Sequence, residues 1–158
     1  MKTSKRFGNL EIRYEVKRSR ECKNDKEVCF YLKSKDNEEK KGRRTIGSII
    51  LQHVQKDCDS FKICRYITHS RLCYTYHNKK IGIWMYLTAI RYCKRNNIKV
   101  TSSNSPSHYA QRIWKSKGLN KYFPVKYSKH LECYVPTIIK NVKKSKSSIR
   151  PSSRARKK

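Results

Sequence analysis

The sequence has few acidic residues, and its central half has none. The 158 residues include 40 Lys or Arg and 11 Asp or Glu, so the net charge is +29 at neutral pH. From Ser60 to Leu131 there is no Asp or Glu, although 15 Lys or Arg fall in that window. This absence excludes any mechanism that needs a carboxylate from that part of the chain.

Long apolar runs are also missing. No run reaches the roughly 18 residues that a membrane-spanning helix needs, so we expect no membrane association. The basic start, Met1–Arg6, is not followed by an apolar core, so it does not resemble a secretory signal. We therefore predict a cytoplasmic protein, nucleoid-associated or in a host cytoplasm, or a nuclear one in a eukaryotic setting.

The seven cysteines lack paired metal-ligand spacing. Their number is odd, and no two stand in C-x2-C or C-x4-C spacing. We therefore predict reduced thiols and no metal, with a zinc site of scattered Cys and His as the alternative. Cys73 and Cys93 stand in apolar patterns, which predicts that both are buried.

The positive charge indicates a polyanionic partner, and nucleic acid is the first candidate, DNA ahead of RNA. The alternatives are an anionic membrane surface, an acidic protein, or a lysine-rich composition without a polyanionic partner. The C-terminal segment combines many cations with serine and cannot bury a core. The predicted phosphate-binding residues are Arg71, Lys143, Lys144, Lys146, Arg150, Arg154, Arg156, Lys157 and Lys158.

The patterning divides the chain into a basic lead-in (1–8), a single domain (9–138) and a disordered basic tail (139–158). Within the domain, apolar periods of two and then 3.6 residues predict the elements in the order ββββ-α-β-α-ββ. Such an order indicates an α/β (α+β) fold with a mixed, mostly antiparallel sheet flanked by helices. The predicted strands are Leu10–Val16, Val28–Leu32, a central Thr45–Val54, Phe61–Tyr76, Ile98–Thr101, Leu119–Tyr122 and Leu131–Val135; the predicted helices are Ile81–Asn96 and His108–Lys117, the latter ended by Gly118.

A polar loop, residues 77–82, joins the fourth predicted strand directly to the first helix. The backbone N–H groups and the dipole at a helix N-terminus form an anion site, to which Lys79 and Lys80 add charge. One glycine and two lysines before a helix are common, so the loop alone is a weak signal. It would suit a diphosphate.

Together with the segment that follows, this loop resembles the GNAT acyltransferase superfamily. The family's cofactor loop, Gln/Arg-x-x-Gly-x-Gly/Ala, aligns with His77-Asn78-Lys79-Lys80-Ile81-Gly82. Its later pattern, Asn-x-x-Ala-x-x-x-Tyr-x-x-x-Gly-Phe, aligns with residues 107–119. The resemblance covers about residues 45–135 and implies a GNAT-like fold, with acetyl-CoA or a related acyl-CoA as the donor.

The resemblance also implies site residues. Backbone N–H groups of the Leu72–Tyr74 strand would polarise the thioester carbonyl. The implied cofactor-binding residues are Leu72, Cys73, Tyr74, His77, Asn78, Lys79, Lys80, Ile81, Gly82, Ile83 and Trp114. The candidate catalytic residues are His69, Ser70, Ser107 and Tyr109.

Several positions depart from the family pattern. Lys80 stands at the first loop glycine, Ser107 at the Asn, and Trp114 at the Tyr that often serves as general acid. An indole N–H is not an acid at neutral pH. With no Glu on the predicted fourth strand, a base would have to be His69, a water, or a carboxylate such as Glu11 or Glu15.

A narrower resemblance is to phage DNA-modifying proteins of the Mom type. It rests on Ser70-Arg71-Leu72 before the loop and on Ser102, His108 and Ile113-Trp114 after the next strand. It implies modification of a DNA base, which a protein reaches by taking the base out of the stack.

Two functions follow from the sequence. The first is a GNAT-fold N-acyltransferase that uses acetyl-CoA and acts on an amine on, or associated with, nucleic acid. The second is a non-catalytic GNAT-like protein that binds DNA or RNA through its basic surface and tail. Fold resemblance alone does not decide between them.

Overall fold

The structure is a computed structural model that describes residues 7–18, 26–34, 45–53, 64–77 and 80–137. The described strands are β1 (Leu10–Arg18), β2 (Lys26–Ser34), β3 (Thr45–His53), β4 (Cys64–Leu72), β5 (Lys99–Ser102), β6 (Val125–Ser128) and β7 (Cys133–Pro136). The described helices are α1 (Ile81–Arg95), α2 (His108–Trp114) and α3 (Lys117–Asn120), and a short 3-10 turn spans Tyr74–Tyr76.

One mixed sheet forms the centre of the fold. Its strands lie in the order β1-β2-β3-β4-β5, so the predicted central strand, β3, is central. The pairs from β1 to β4 are antiparallel, whereas β4 and β5 are parallel. Parallel neighbours need a crossover, and α1 supplies it by packing across β2, β3 and β5. The predicted fold class, a mixed and mostly antiparallel sheet flanked by helices, is confirmed.

The core lies between this sheet and the inner face of α1. Alternate residues of β2, such as Phe30 and Leu32, point into it and are fully buried. Met85, Ala89 and Cys93 recur at four-residue spacing on α1 and are buried as well. The helix therefore forms because a continuous apolar stripe can be covered by the sheet.

The predictions were wrong in the segments that follow β4 and α2. The fourth strand ends at Leu72, and Cys73 is exposed rather than buried. Gly118 does not end a helix, and Leu119 does not begin a strand. Both lie in α3, which restarts because the Ser116 hydroxyl accepts the N–H of Leu119 at its N-terminus.

The hairpin of β6 and β7 forms a second, two-stranded sheet. Strand β6 was not predicted. The hairpin is tied to the main sheet because the Tyr134 N–H donates to the Ser102 hydroxyl at 2.9 Å.

Within the described ranges, no helix has the length and apolarity to cross a membrane. The tail cations from Lys143 to Lys158 lie outside the described residues, as do Asn78 and Lys79 of the loop. The division into lead-in, domain and tail stays a prediction.

Candidate active site where β4 and β5 separate

The sheet opens between β4 and β5. These strands pair from Cys64–Lys99 to Ile67–Ser102, where β5 ends. Strand β4 continues to Leu72 along β3, and the pairing register shifts after Ile67 so that Thr68 is the extra residue of a bulge. A bulge bends and twists its strand. The opening therefore lies at the carboxyl ends of two parallel strands, where α/β sheets commonly bind ligands.

A cavity of about 450 Å³ occupies this opening, a volume within the range of small-molecule sites. Its walls come from β3, the end of β4, the first turns of α1, and α2. Nine residues predicted as functional line it: Ser70, Arg71, Leu72, His77, Lys80, Gly82, Ile83, Ser107 and Tyr109. The other lining residues were not among the predicted site residues; they are Ser48, Ile49, Met85, Tyr86, Ala110, Arg112, Ile113 and Ser116.

Four predicted site residues lie elsewhere. Ile81 and Trp114 are buried in the core, and Tyr74 and Cys73 are exposed beyond the end of β4. For His69 the structure gives the backbone position, opposite Ile50 of β3.

The N-terminus of α1 lies at the cavity, and the residue before it has an unusual backbone. Lys80 has φ 61° and ψ 8°, the left-handed conformation that glycine adopts most easily. Lys80 is the residue that aligns with the first glycine of the GNAT loop pattern, and it adopts a backbone conformation that glycine favours. An α-helix leaves its first N–H groups without intrahelical partners, and here they lie beside the exposed Lys80 side chain.

Lys80→Gly is expected to stabilise the fold by about 1 kcal/mol, because glycine does not have the steric cost of a left-handed L residue. Lys80→Ala is the matched control, since it removes the same charge and keeps that cost. Urea denaturation of the two variants measures the difference. Equal stabilities of the glycine and alanine variants would show that the left-handed backbone is not strained.

Gly82 lets α2 approach the start of α1. A Cβ atom at this position would lie 2.9 Å from Cδ1 of Ile113, which is closer than carbon atoms normally pack. Gly47 plays the same part on β3, because a Cβ there would lie 2.8 Å from the Arg71 carbonyl oxygen. Gly47 is the more restricted of the two positions, because its neighbour is a backbone oxygen, whereas Cδ1 of Ile113 is the end of a flexible side chain.

A buried phenol forms the polar floor of the cavity. Tyr86 on α1 is 2% exposed, and its hydroxyl donates to Oγ of Ser70 at 2.9 Å. Burial raises the pKa of Tyr86 to about 12, although the hydrogen bond with Ser70 lowers it in part. The phenol therefore stays protonated at neutral pH. Because Ser70 Oγ accepts this hydrogen, the hydroxyl hydrogen of Ser70 remains available to a group in the cavity.

Trp114 supports this phenol from the core. Its indole is 1% exposed and packs edge-on against the Tyr86 ring, with centroids 5.3 Å apart. Sequence reasoning missed Tyr86 because its position on the apolar face of α1 indicated packing. A signal was present: a buried tyrosine hydroxyl normally requires a partner.

His77 forms part of the cavity wall and has a defined hydrogen bond. Its Nε2 lies 2.9 Å from the carbonyl oxygen of Leu72. A carbonyl only accepts, so Nε2 carries the hydrogen, and Nδ1 of the neutral ring is free to accept a proton. The ring also contacts Tyr109, with centroids 5.1 Å apart.

The two N-terminal carboxylates considered as bases are distant from the cavity. Glu11 and Glu15 lie on β1, at the opposite edge of the sheet from β5. Glu11 pairs with Arg13 and lines a separate groove between β1 and α1. Glu15 pairs with Lys17, whose hydrogen bond lowers the pKa of this carboxyl. Neither can act as base in the cavity.

The Leu72–Tyr74 segment, which was predicted to supply backbone donors, is not a continuous strand. Strand β4 ends at Leu72, and the Cys73 N–H already donates to the Ile46 carbonyl at 2.8 Å. Tyr74 begins the 3-10 turn. The Ser70 hydroxyl is the donor that the described geometry offers instead.

The cavity is electropositive. Arg71, Lys80 and Arg112 are exposed at its edge, and none of the described lining residues is acidic. Among the residues that the structure describes, no His, Cys, Asp and Glu side chains group closely enough to hold a metal. The groups that the described cavity lining offers to a ligand are therefore hydroxyls, one imidazole, cations and a helix N-terminus.

No protein-family model matches the chain. A search of curated proteins finds no match either. Among solved structures, the chain is similar to the crystal structure of the NatC complex bound to Gag peptide and CoA, with a TM-score of 0.43 and 15% identity over 68% of this chain and 67% of that one. The strand pairing itself shows a mixed α+β sheet, in which four antiparallel strands are extended by a parallel β4-α1-β5 unit.

Proposed function

We propose that this chain is a GNAT-fold N-acyltransferase that uses acetyl-CoA or a related acyl-CoA and acts on an amine on, or associated with, nucleic acid. The observation that carries the proposal is the arrangement of the cavity, which combines a helix N-terminus with a cation at one end and the Tyr86–Ser70 hydrogen bond on its floor.

The cavity residues fit an acyl-CoA. The first turn of α1 and Lys80 would hold the diphosphate, since free N–H groups and a positive dipole favour phosphate oxygens. The apolar wall from Ile83 and Ile113 would face the pantetheine arm. When bound, the donor supplies the acyl group as an activated thioester.

Within the cavity, the chain's own residues divide the chemical work. Ser70 donates a hydrogen bond to a carbonyl oxygen on which negative charge develops, and Tyr86 holds Ser70 in place. Nδ1 of His77 would accept the proton that an attacking amine loses as the new C–N bond forms. The C–S bond of the thioester would break, and the thiolate would leave and take its proton from solvent. Tyr86 itself is not the general acid toward a thiolate, because its pKa of about 12 lies far above the ~8.5 of an ordinary thiol.

The acceptor proposal is supported by charge. The net charge of +29 and the cations at the cavity edge favour an acceptor that carries phosphates. A base, a tRNA-linked amine and a nucleic-acid-bound protein all offer an amine of this kind.

Thermal denaturation with 1 mM acetyl-CoA tests donor binding. Ligand at about 100 times its Kd contributes about 2.7 kcal/mol, which for a domain of this size raises Tm by roughly 5–10 °C. Lys80→Glu should lose at least half of this rise, because it reverses the charge beside the diphosphate. Lys129→Glu, in the β6–β7 turn, makes the same change in net charge away from the cavity and should keep the full rise.

Two results would contradict the proposal. One is no rise of Tm for the unaltered chain at millimolar acetyl-CoA. The other is an equal reduction in both variants, which would assign the rise to general charge attraction.

The second candidate is a non-catalytic nucleic-acid-binding protein. It is favoured by the absence of acidic side chains from the described cavity lining and by Trp114 at the family's tyrosine position. Nucleic-acid binding without any response to acetyl-CoA would select this function.

A further inference from the structure

We propose that Tyr74 and Tyr109, whose rings both contact His77 at the edge of the cavity, form a stacking site for unpaired nucleobases, and that this site takes a single-stranded segment of nucleic acid. The inference rests on the proposed function in one respect, namely that nucleic acid carries or presents the acceptor.

The two tyrosines are exposed and belong to one group of rings. Tyr74 is 83% exposed and Tyr109 is 57% exposed. His77 lies between them, with its ring centroid 5.5 Å from that of Tyr74 and 5.1 Å from that of Tyr109. Residues 74 and 109 are distant in sequence, so the fold brings the rings together. Because the rings are this exposed, they contribute little to the core, and their faces are available to a ligand.

Ordered backbone carries these rings. Tyr74 begins the 3-10 turn, and its carbonyl accepts the His77 N–H at 2.9 Å. Tyr109 stands in the first turn of α2, which the Ser107 hydroxyl caps by accepting the Ala110 N–H. His77 is fixed by its bond to the Leu72 carbonyl. Because the backbone and the central ring are fixed before binding, stacking requires little additional ordering.

The charges around the rings suit a phosphate backbone. Arg71, Lys80 and Arg112 are exposed at the same mouth, and the described cavity lining includes no Asp or Glu. Aromatic faces beside cations are typical of proteins that bind single strands, since every base offers a flat face and every nucleotide a negative phosphate. In a duplex the base faces are already stacked on each other and are not available to the tyrosine rings. A duplex would therefore bind this surface through its phosphate charge alone.

The chain offers a matched control in the β6–β7 hairpin. Tyr127 is 55% exposed, almost the same as Tyr109, and it also lies among lysines. Its ring packs on Tyr134, with centroids 5.2 Å apart, and it is not among the cavity residues. Replacing Tyr127 therefore removes an exposed ring without touching the mouth.

Fluorescence anisotropy with a labelled 12-nucleotide oligo-dT, at several salt concentrations, tests the site in the full chain. Stacking on an aromatic ring is worth roughly 1–3 kcal/mol per base, so the double variant Tyr74→Leu/Tyr109→Leu should bind at least about 10-fold more weakly. Its salt dependence should be unchanged, because all the cations remain. Tyr127→Leu should bind like the unaltered chain, and a labelled duplex should bind equally to all three proteins.

Two outcomes would overturn the proposal: oligo-dT affinity that is unchanged in the double variant, or an equal loss of oligo-dT affinity in Tyr127→Leu. Failure of the proposed function would give a different result from failure of the stacking site. If only the proposed function failed, oligo-dT binding would still depend on the two rings, but acetyl-CoA would not raise Tm. Near-native Tm values for the variants without ligand would confirm that they fold.

Discussion

Trp114→Ala is expected to destabilise the fold by about 3–5 kcal/mol, the usual cost of removing a fully buried aromatic side chain. The indole is 1% exposed and joins α2 to the Tyr86 ring and, with centroids 6.4 Å apart, to Tyr134 of the hairpin. The variant should also lose binding to acetyl-CoA, since the floor of the cavity loses its support.

Urea denaturation measures this effect, with Trp84→Ala as the control. Trp84 is only partly buried and stacks on Phe7, with centroids 5.0 Å apart, so its removal should cost clearly less. If the two tryptophan variants lost equal stability, Trp114 would not have the central packing position described above.

Tyr86 should make the stability of the protein depend on pH in the alkaline range. Burial raises its pKa from 10.0 to about 12, so the folded state retains the phenolic proton more strongly than the unfolded state. The resulting stabilisation is fully present below pH 10 and is lost as the pH rises from 10 to 12. One pKa unit corresponds to about 1.4 kcal/mol, so the total is roughly 2–3 kcal/mol.

Tyr86→Phe removes this titration while it keeps most of the packing. The difference in unfolding free energy between the unaltered chain and Tyr86→Phe should narrow by about 1 kcal/mol between pH 9 and pH 11. Comparing the two proteins in urea at each pH cancels the titration of the many lysines. Parallel pH profiles would mean that the phenol is not buried as described.

Much of the fold could be predicted because its signals are local. Alternation predicted β1, the β-branched and aliphatic composition predicted β3, and a short strand was predicted within β2. The 3.6-residue apolar period predicted α1 to within a residue of its end. The turn after β4 was not predicted, because tyrosine has a high β-propensity and Tyr74 and Tyr76 therefore resemble a continuation of the strand. Strand β6 was missed because it is short and has little apolar alternation.

The candidate site was predicted in part. The loop alignment indicated Lys80 and Gly82, and the left-handed backbone of Lys80 gives that alignment a physical basis. The Tyr86–Ser70 bond could not be predicted, since nothing in the local sequence indicates that a buried helix tyrosine meets a strand serine 16 positions earlier. The hydrogen position on His77 likewise depends on a carbonyl that only the fold brings close.

The absence of acidic residues from the middle of the chain now has a structural meaning. The described lining of the cavity comes entirely from residues 48–116, and none of these lining residues is acidic. Glu11 and Glu15, the two carboxylates considered as bases in place of an acidic residue on β4, are paired with cations at the far edge of the sheet. The proposed acyltransferase mechanism therefore assigns the proton to His77 and not to either of these carboxylates.

The most direct test of the account is an amide NMR titration of the full chain with acetyl-CoA. The account predicts saturable shifts of the amide signals of Gly82, Ile83 and Ser107, and none in the β6–β7 hairpin. No shifts at millimolar acetyl-CoA, or shifts spread over the lysine-rich surface without saturation, would contradict it.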